Sequence, residues 1–243
     1  MSRGHRGDAG DGDERERLLA ENARRRFLED DRYQPWNPAE RVMLDGRRRL
    51  AAEMLKSADA FPHPDTRCLE VGFGDGTWLV DLLSFRIRET SLHGVEIDPA
   101  RAAVARRRLP AAHLVVTDGS GLPYRDGAFP LVLVSTVFTS ILDTELQNAL
   151  AGDITRVLAP GGVLLYYDFA VNNPRNPHVR GVPRRRVREL FPTLRGEVRR
   201  ATLAPPLVRR VAPFSVALAE LLHHVPLLRT HLLAVLKKPP AAA

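Results

Sequence analysis

Glycine stands at every second position of Gly72-Phe73-Gly74-Asp75-Gly76, directly after a short apolar run, Cys68-Leu69-Glu70-Val71, that carries one carboxylate near its end. Backbone without Cβ atoms turns sharply and lets a ligand lie close against it. A strand feeding such a loop suits a nucleotide-like cofactor lying across the carboxyl end of a parallel sheet. A second concentration of chemistry lies at 168–180, where Asn172, Asn173, Arg175, Asn176 and Arg180 can orient hydroxyls or phosphates. Within it, His178 can serve as a base near neutral pH, with Asp168 as the second choice.

Both groups of residues need elements that hold them still. Apolar runs predict strands at 67–71, 91–97, 113–117, 131–135 and 163–168, with helices at 77–83, 99–108 and 143–158 between them. Such alternation implies βαβ units and a parallel sheet covered on both faces. Beyond Pro183 a basic helix runs to about Leu190, and strands follow at 197–203 and 230–236. An apolar stretch at 214–224 reads as a core helix between these last strands. On the N-terminal side, residues 1–13 are polar and glycine-rich, as in a disordered tail, and 14–29 suits a short surface helix. Pro35 and Pro38 interrupt the chain before a helix at roughly 39–57, which Asn37 can cap. The domain reading is therefore a tail at 1–13, a helical extension or lid at 14–58, an α/β domain at 59–238 and a tail at 239–243.

Four signals in order carry a resemblance. Glu70-Val71-Gly72-Phe73-Gly74-Asp75-Gly76, Gly94-Val95-Glu96-Ile97-Asp98, Val116-Thr117-Asp118-Gly119 with Leu122-Pro123-Tyr124, and Leu158-Ala159-Pro160-Gly161-Gly162 stand at or near successive strand ends. Together they resemble the class I S-adenosylmethionine-dependent methyltransferase family over roughly 65–168. The resemblance implies an α/β, Rossmann-like, seven-stranded and mostly parallel sheet with helices on both faces and the last strand antiparallel. It implies S-adenosylmethionine as cofactor, held by Glu70, Gly72, Phe73, Gly74, Gly76, Glu96, Ile97, Asp118, Gly119 and Ser135. Glu96 matches the acid that takes both ribose hydroxyls, and a carboxylate has two oxygens for two adjacent donors. Asp118 matches the residue that receives the adenine amine. The family's F-D before the fourth strand is Phe129-Pro130 here, a departure that touches local geometry. A dinucleotide-dependent dehydrogenase is the competing reading, since Glu96 lies 20 residues beyond Gly76. Thr77, however, stands where that fold's third glycine belongs, and the dehydrogenase pattern gives no reason for Asp118 or Pro160-Gly161-Gly162.

The resemblance also places the 168–180 loop beside a substrate. It makes Tyr33 and Trp36 candidates for an N-terminal lid, although a surface strut is equally compatible. The expected reaction is O-methylation of a small polyhydroxylated or phosphate-bearing molecule. An RNA substrate and a non-catalytic, cofactor-binding subunit remain open.

Composition narrows the partners. The chain has 243 residues and a formal net charge of +7, and between Asn172 and Arg210 eleven arginines face two acids. That surplus suits an anionic small molecule, but no aromatic residues interleave it as base stacking would require, which makes nucleic acid a weak expectation. Cys68 is the only cysteine, which excludes an internal disulfide and a cysteine-based zinc cluster. No carboxylate or histidine group has metal-ligand spacing, so no metal is expected. The N-terminal residues lack the apolar region of a secretory signal, no run reaches bilayer-spanning length, and a cytoplasmic protein without a membrane partner is the expectation.

Overall fold

The computed structural model of the chain describes residues 8–26, 34, 36–117, 119, 121–174 and 176–240, with side chains of the first helix described from Glu14 to Arg24. Seven strands lie in one sheet: β1 (Cys68–Val71), β2 (Leu92–Glu96), β3 (His113–Val116), β4 (Phe129–Ser135), β5 (Leu158–Phe169), β6 (Arg195–Leu203) and β7 (Arg229–Lys237). Their order is β3-β2-β1-β4-β5-β7-β6. The β1–β2, β1–β4, β2–β3 and β4–β5 pairs are parallel, while β7 runs antiparallel to both β5 and β6. This is the expected fold class.

Eight α-helices surround the sheet among the described residues: α1 (Asp8–Arg26), α2 (Pro38–Ser57), α3 (Thr77–Ser84), α4 (Pro99–Arg108), α5 (Thr144–Val157), α6 (Arg184–Leu190), α7 (Pro205–Val211) and α8 (Val216–His223). The strands read as continuous apolar runs because both faces are covered. Along β4, Leu131 and Leu133 join the core under α2, α3 and α4, whereas Val132 and Val134 join the core under α5 and α6. Short polar side chains start the helices. Asn37 accepts from Ala39 N at 3.0 Å and Glu40 N at 3.3 Å, Asp98 from Ala100 N at 2.9 Å, and Asp143 from Glu145 N at 2.7 Å. Each satisfies backbone donors that a first turn leaves unpaired.

Several boundaries differ from expectation for local reasons. Helix α1 begins at Asp8, inside the stretch expected to be a disordered tail. Helix α2 contributes Ala51, Met54 and Leu55 to the main core, so a domain border at 58/59 divides nothing in the packing. Helix α7, begun by Pro205 and Pro206, was not expected; proline at the first turn costs no hydrogen bond. Pro130 lies in β4 where the register with β5 shifts between Phe129 and Leu131, which is how the sheet accommodates the missing donor. Pro160-Gly161-Gly162 lies within β5 rather than before it, and Gly161 N donates to Lys238 O at 3.1 Å.

Helix α8 is not a core helix. Phe214, Leu218 and Leu221 are exposed, and only Ala219 and His223 of the helix are buried.

Candidate active site

At the carboxyl end of the sheet, β1 turns into the glycine loop with Gly72 N donating to Val95 O at 2.9 Å. Gly72, Gly74 and Gly76 all have positive φ (72°, 56° and 81°), the left-handed backbone that glycine adopts without steric cost. Glu96, at the end of β2, fixes this loop. Its Oε2 accepts Gly74 N at 2.7 Å, and its Oε1 accepts Ile97 N and Asp98 N, both at 2.9 Å. A carboxylate offers about four acceptor directions, so Oε2 retains capacity for a hydroxyl donor.

A cavity of about 210 Å³ opens over this edge, lined by Val71, Gly72, Glu96, Ile97, Thr117, Gly119, Ser135 and Thr136 on the sheet side. Its opposite wall comes from Arg15, Leu18 and Asn22 of α1, with Ser140, Ile141, Leu146 and Leu150 from the segment after β4 and from α5. Helix α1 is tied over the cavity by polar contacts. Glu14 Oε1 accepts Leu142 N at 2.7 Å, and Arg17 donates to Ser140 O and, at 3.3 Å, to His178 O. The bidentate Arg17–Glu14 pair holds the Glu14 carboxyl below the usual carboxylate range, helped by the Leu142 N–H. The exposed Arg15 and the half-buried Leu18 and Asn22 share one helical face. That spacing was the available signal for α1 in the sequence, and the mixture of charge and leucine hid it.

Beneath the floor, a cation-centred network sets Ser135. Arg47 of α2 donates to Asp81 Oδ2 at 2.8 Å and lies 4.0 Å over the Trp78 ring, and Trp78 Nε1 donates to Ser135 Oγ at 2.9 Å. The next residue, Thr136, has φ of 54°, a conformation costing a non-glycine residue on the order of 1–3 kcal/mol. Strain of this kind marks a cavity-lining position that the surrounding structure enforces.

The residues expected to bind cofactor separate into two groups. Gly72, Glu96, Ile97, Gly119 and Ser135 line the cavity. Glu70, Phe73, Gly74 and Gly76 do not. Burial pushes the Glu70 carboxyl well above its usual range, with Arg47 opposing. Phe73 is buried against Gly94, where an added Cβ would meet its ring at 2.5 Å. Gly74 acts through its N–H to Glu96, and Gly76 packs against Ala105 of α4. Asp118, Tyr33 and Arg175 lie outside the described residues. A cofactor whose ribose meets Glu96 fits the cradle, because Glu96 and Gly72 line the same cavity and Glu96 Oε2 retains an acceptor direction.

The catalytic and substrate expectations fare differently. Asp168 is fully buried and turned from the cavity, accepting Thr139 N at 3.1 Å, Thr139 Oγ1 at 2.6 Å and Phe169 N at 2.9 Å. Desolvation pushes its carboxyl up to about 7 despite these donors. His178 is exposed and its backbone N donates to Asn176 Oδ1 at 3.0 Å. Asn172 Oδ1 accepts Gly181 N at 2.8 Å, and Arg180 donates to Leu142 O at 2.6 Å. Asn173 and the exposed Trp36 do not line the cavity either. The Asn172 and Asn176 side chains hold turns, which is the ordinary work of asparagine in loops.

The arginine surplus has a structural use as well. Arg184 donates to Val198 O at 2.6 Å, Arg186 to Asn148 Oδ1 at 2.8 Å, Arg199 to Glu53 at 2.7 Å, and Arg200 to Arg229 O at 2.9 Å. Guanidinium groups committed in this way do not form an open phosphate track. Among the described residues no histidine, cysteine and carboxylate group could hold a metal ion, and no helix is long and apolar enough to cross a membrane.

Comparison with known proteins agrees with this arrangement. A family model for a methyltransferase domain matches residues 68–162, from β1 to the glycines of β5. A demethylmenaquinone methyltransferase of Thermus thermophilus is 36% identical over 130 residues, covering 52% of this chain and 54% of that protein. The chain spans about half the length of the curated relatives it matches. Among solved structures, a geranyl diphosphate C-methyltransferase from Streptomyces coelicolor has a TM-score of 0.57 at 16% identity, covering 79% of this chain and 77% of its own. The [4+2]-cyclase SpnF has a TM-score of 0.58 at 17% identity, covering 88% of this chain and 86% of its own. At these identities the structural likeness concerns the fold.

Proposed function

We propose that the chain, whose residues 68–162 match a methyltransferase domain, is a class I S-adenosylmethionine-dependent methyltransferase that methylates an oxygen of a small molecule carrying an anionic group. The observation behind this reading is that Glu96 and Gly72 of the sheet face Arg15 and Asn22 of α1 across one cavity. S-adenosylmethionine supplies, when bound, a methyl carbon already activated on a sulfonium centre. The chain's part is then alignment and exclusion of water. Glu96 accepts from a ribose hydroxyl, Gly72 allows close approach, and Asp118 takes the adenine amine by family resemblance. Arg15 and Asn22 orient the acceptor from above, and α1 closes the cavity to solvent.

His178 and Asp168 do not line the cavity, and among the described residues the carboxylate that does, Glu96, is engaged with backbone donors. An acceptor whose oxygen is already ionised, such as a carboxylate, phosphate or acidic hydroxyl, needs no proton removed by the protein. Arg15 supplies the matching charge. A screen of carboxylate, phosphate and sugar acceptors with methyl-labelled S-adenosylmethionine, read by mass spectrometry, tests this. Label should reach an anionic acceptor with a KM that rises in Arg15→Ala, and transfer confined to neutral amines or carbon acceptors would sink the assignment.

A further inference from the structure

The connection from β6 to β7 carries a surface that neither the core nor the cavity uses. Because β7 alone runs against the other strands, β6 points the same way as β5. The α7–α8 connection therefore crosses the carboxyl edge of the sheet, the edge on which the cavity opens. Helix α8 buries Ala219 and His223, one turn apart, and the His223 ring lies against Gly46 of α2.

The opposite face is apolar and open to solvent. Phe214, Leu218, Leu221 and Val225 follow one another at helical spacing of four, three and four residues, and Phe214, Leu221 and the nearby Leu227 are 89%, 66% and 89% exposed. An amphipathic helix ordinarily turns such a stripe inward. Scattered exposed leucines need no explanation, but a continuous apolar stripe marks an interaction surface.

The charge around the stripe indicates the partner. Between Pro205 and His231 the charged residues are Arg209, Arg210 and Arg229 against the single acid Glu220. Glu220 itself lies 3.9 Å from the exposed Arg49 of α2. Arg210 is exposed too.

We propose that this face docks peripherally on an anionic lipid surface. The aliphatic and aromatic side chains enter the headgroup boundary while the arginines meet lipid phosphates. A second copy of the chain is a poorer occupant, because a twofold contact sets the same arginine surplus against itself. Peripheral docking departs from the sequence expectation of no membrane partner. The inference stands apart from the methyl-transfer reading.

Co-sedimentation of the full chain with vesicles of phosphatidylcholine, alone or mixed with phosphatidylglycerol, tests it. Wild type should sediment with the mixed vesicles. Binding should fall on the order of tenfold or more for F214S/L218S/L221S, and also when phosphatidylglycerol is omitted. Arg210→Glu, which leaves the stripe intact, should weaken binding as well. Circular dichroism and S-adenosylmethionine titration on each variant verify that the fold is retained. Failure of wild type to sediment, or equal sedimentation of the triple variant, would overturn the proposal. A dimer seen by light scattering that the triple variant loses, without vesicle binding by wild type, would assign the face to a second copy instead.

Discussion

Two loops leave the carboxyl edge of the same sheet and use polar chemistry in opposite ways. After β1, the glycine loop presents Gly72 to the cavity, and the N–H of Gly74 is fixed by Glu96, a carboxylate from the neighbouring strand. After β5, residues 171–181 turn their amide side chains back onto their own backbone, as Asn172 does toward Gly181 and Asn176 toward His178. The first loop is shaped for something outside the chain, and the second is shaped by its own hydrogen bonds. A glycine with positive φ has few reasons to be where it is. An asparagine has many, because it serves turns as readily as ligands.

The largest effect that could break this contrast is at Glu96. Glu96→Ala removes the acceptor for Gly74, Ile97 and Asp98 N–H groups together with the carboxylate on the cavity wall. Hydrogen bonds to a charged acceptor contribute about 1.5–3 kcal/mol each. Affinity for S-adenosylmethionine should therefore fall on the order of a hundredfold, measured by calorimetric titration. Unchanged affinity would mean that the glycine loop, like its counterpart, serves only itself.

Asp168 sharpens the other side, since it anchors the second loop's root to Thr139. Its carboxyl is pushed up to about 7 by burial, whereas an unfolded aspartate titrates near 4. The folded form thus holds a proton that the unfolded form releases. Its contribution to stability is complete below about pH 4 and is lost as pH rises toward 7, at no more than about 1.4 kcal/mol per pH unit. Asp168→Asn should lack this component, so urea unfolding at pH 4.5 and 7.5 should show a flatter dependence than wild type. Equal slopes would return Asp168 to ordinary ionisation and reopen it as a candidate near the substrate.

What was legible in the sequence follows from the same contrast. Strands β1 to β5, helix α4 and the places of Gly72, Glu96 and Ser135 on the cavity wall could be read because apolar period, capping residues and glycine each have a narrow physical meaning. Phe73 was misassigned because a loop aromatic can face a ligand or, as here, fill the space over Gly94. A helical extension or lid over 14–58 was expected, but Arg15, Leu18 and Asn22 were not singled out within it, because they look like any surface helix until β4's exit loop is placed beneath them. The 214–224 stretch was taken for core because periodicity shows an apolar face without saying which way it points. Asp118, central to the resemblance, lies outside the described residues and stays a matter for mutation.

A smaller effect separates the two walls of the cavity. The sheet wall is built into the core, while α1 is held chiefly by Glu14 and Arg17. Arg17 is partly exposed, and such pairs contribute about 0–1 kcal/mol. Arg17→Ala should leave thermal stability within about a degree or two of wild type. It should weaken cofactor and acceptor binding severalfold, with faster dissociation in stopped-flow measurements. A large loss of stability with unchanged binding would make α1 a structural strut rather than a wall of the site.

The smallest expected effect falls on His178, and its smallness is the point. General-base removal ordinarily costs about 10²–10⁴-fold in rate. The His178 side chain is exposed and off the cavity wall, so His178→Ala should change kcat by less than about twofold and leave the pH–rate profile in place. Asn172→Ala, which only frees Gly181 N–H, should cost about 1 kcal/mol of stability and little activity. A kcat loss of tenfold or more in His178→Ala, together with a changed pH–rate profile, would show that the loop after β5 closes onto the substrate. The two loops would then differ in timing rather than in purpose: one shaped before the ligand arrives, the other after.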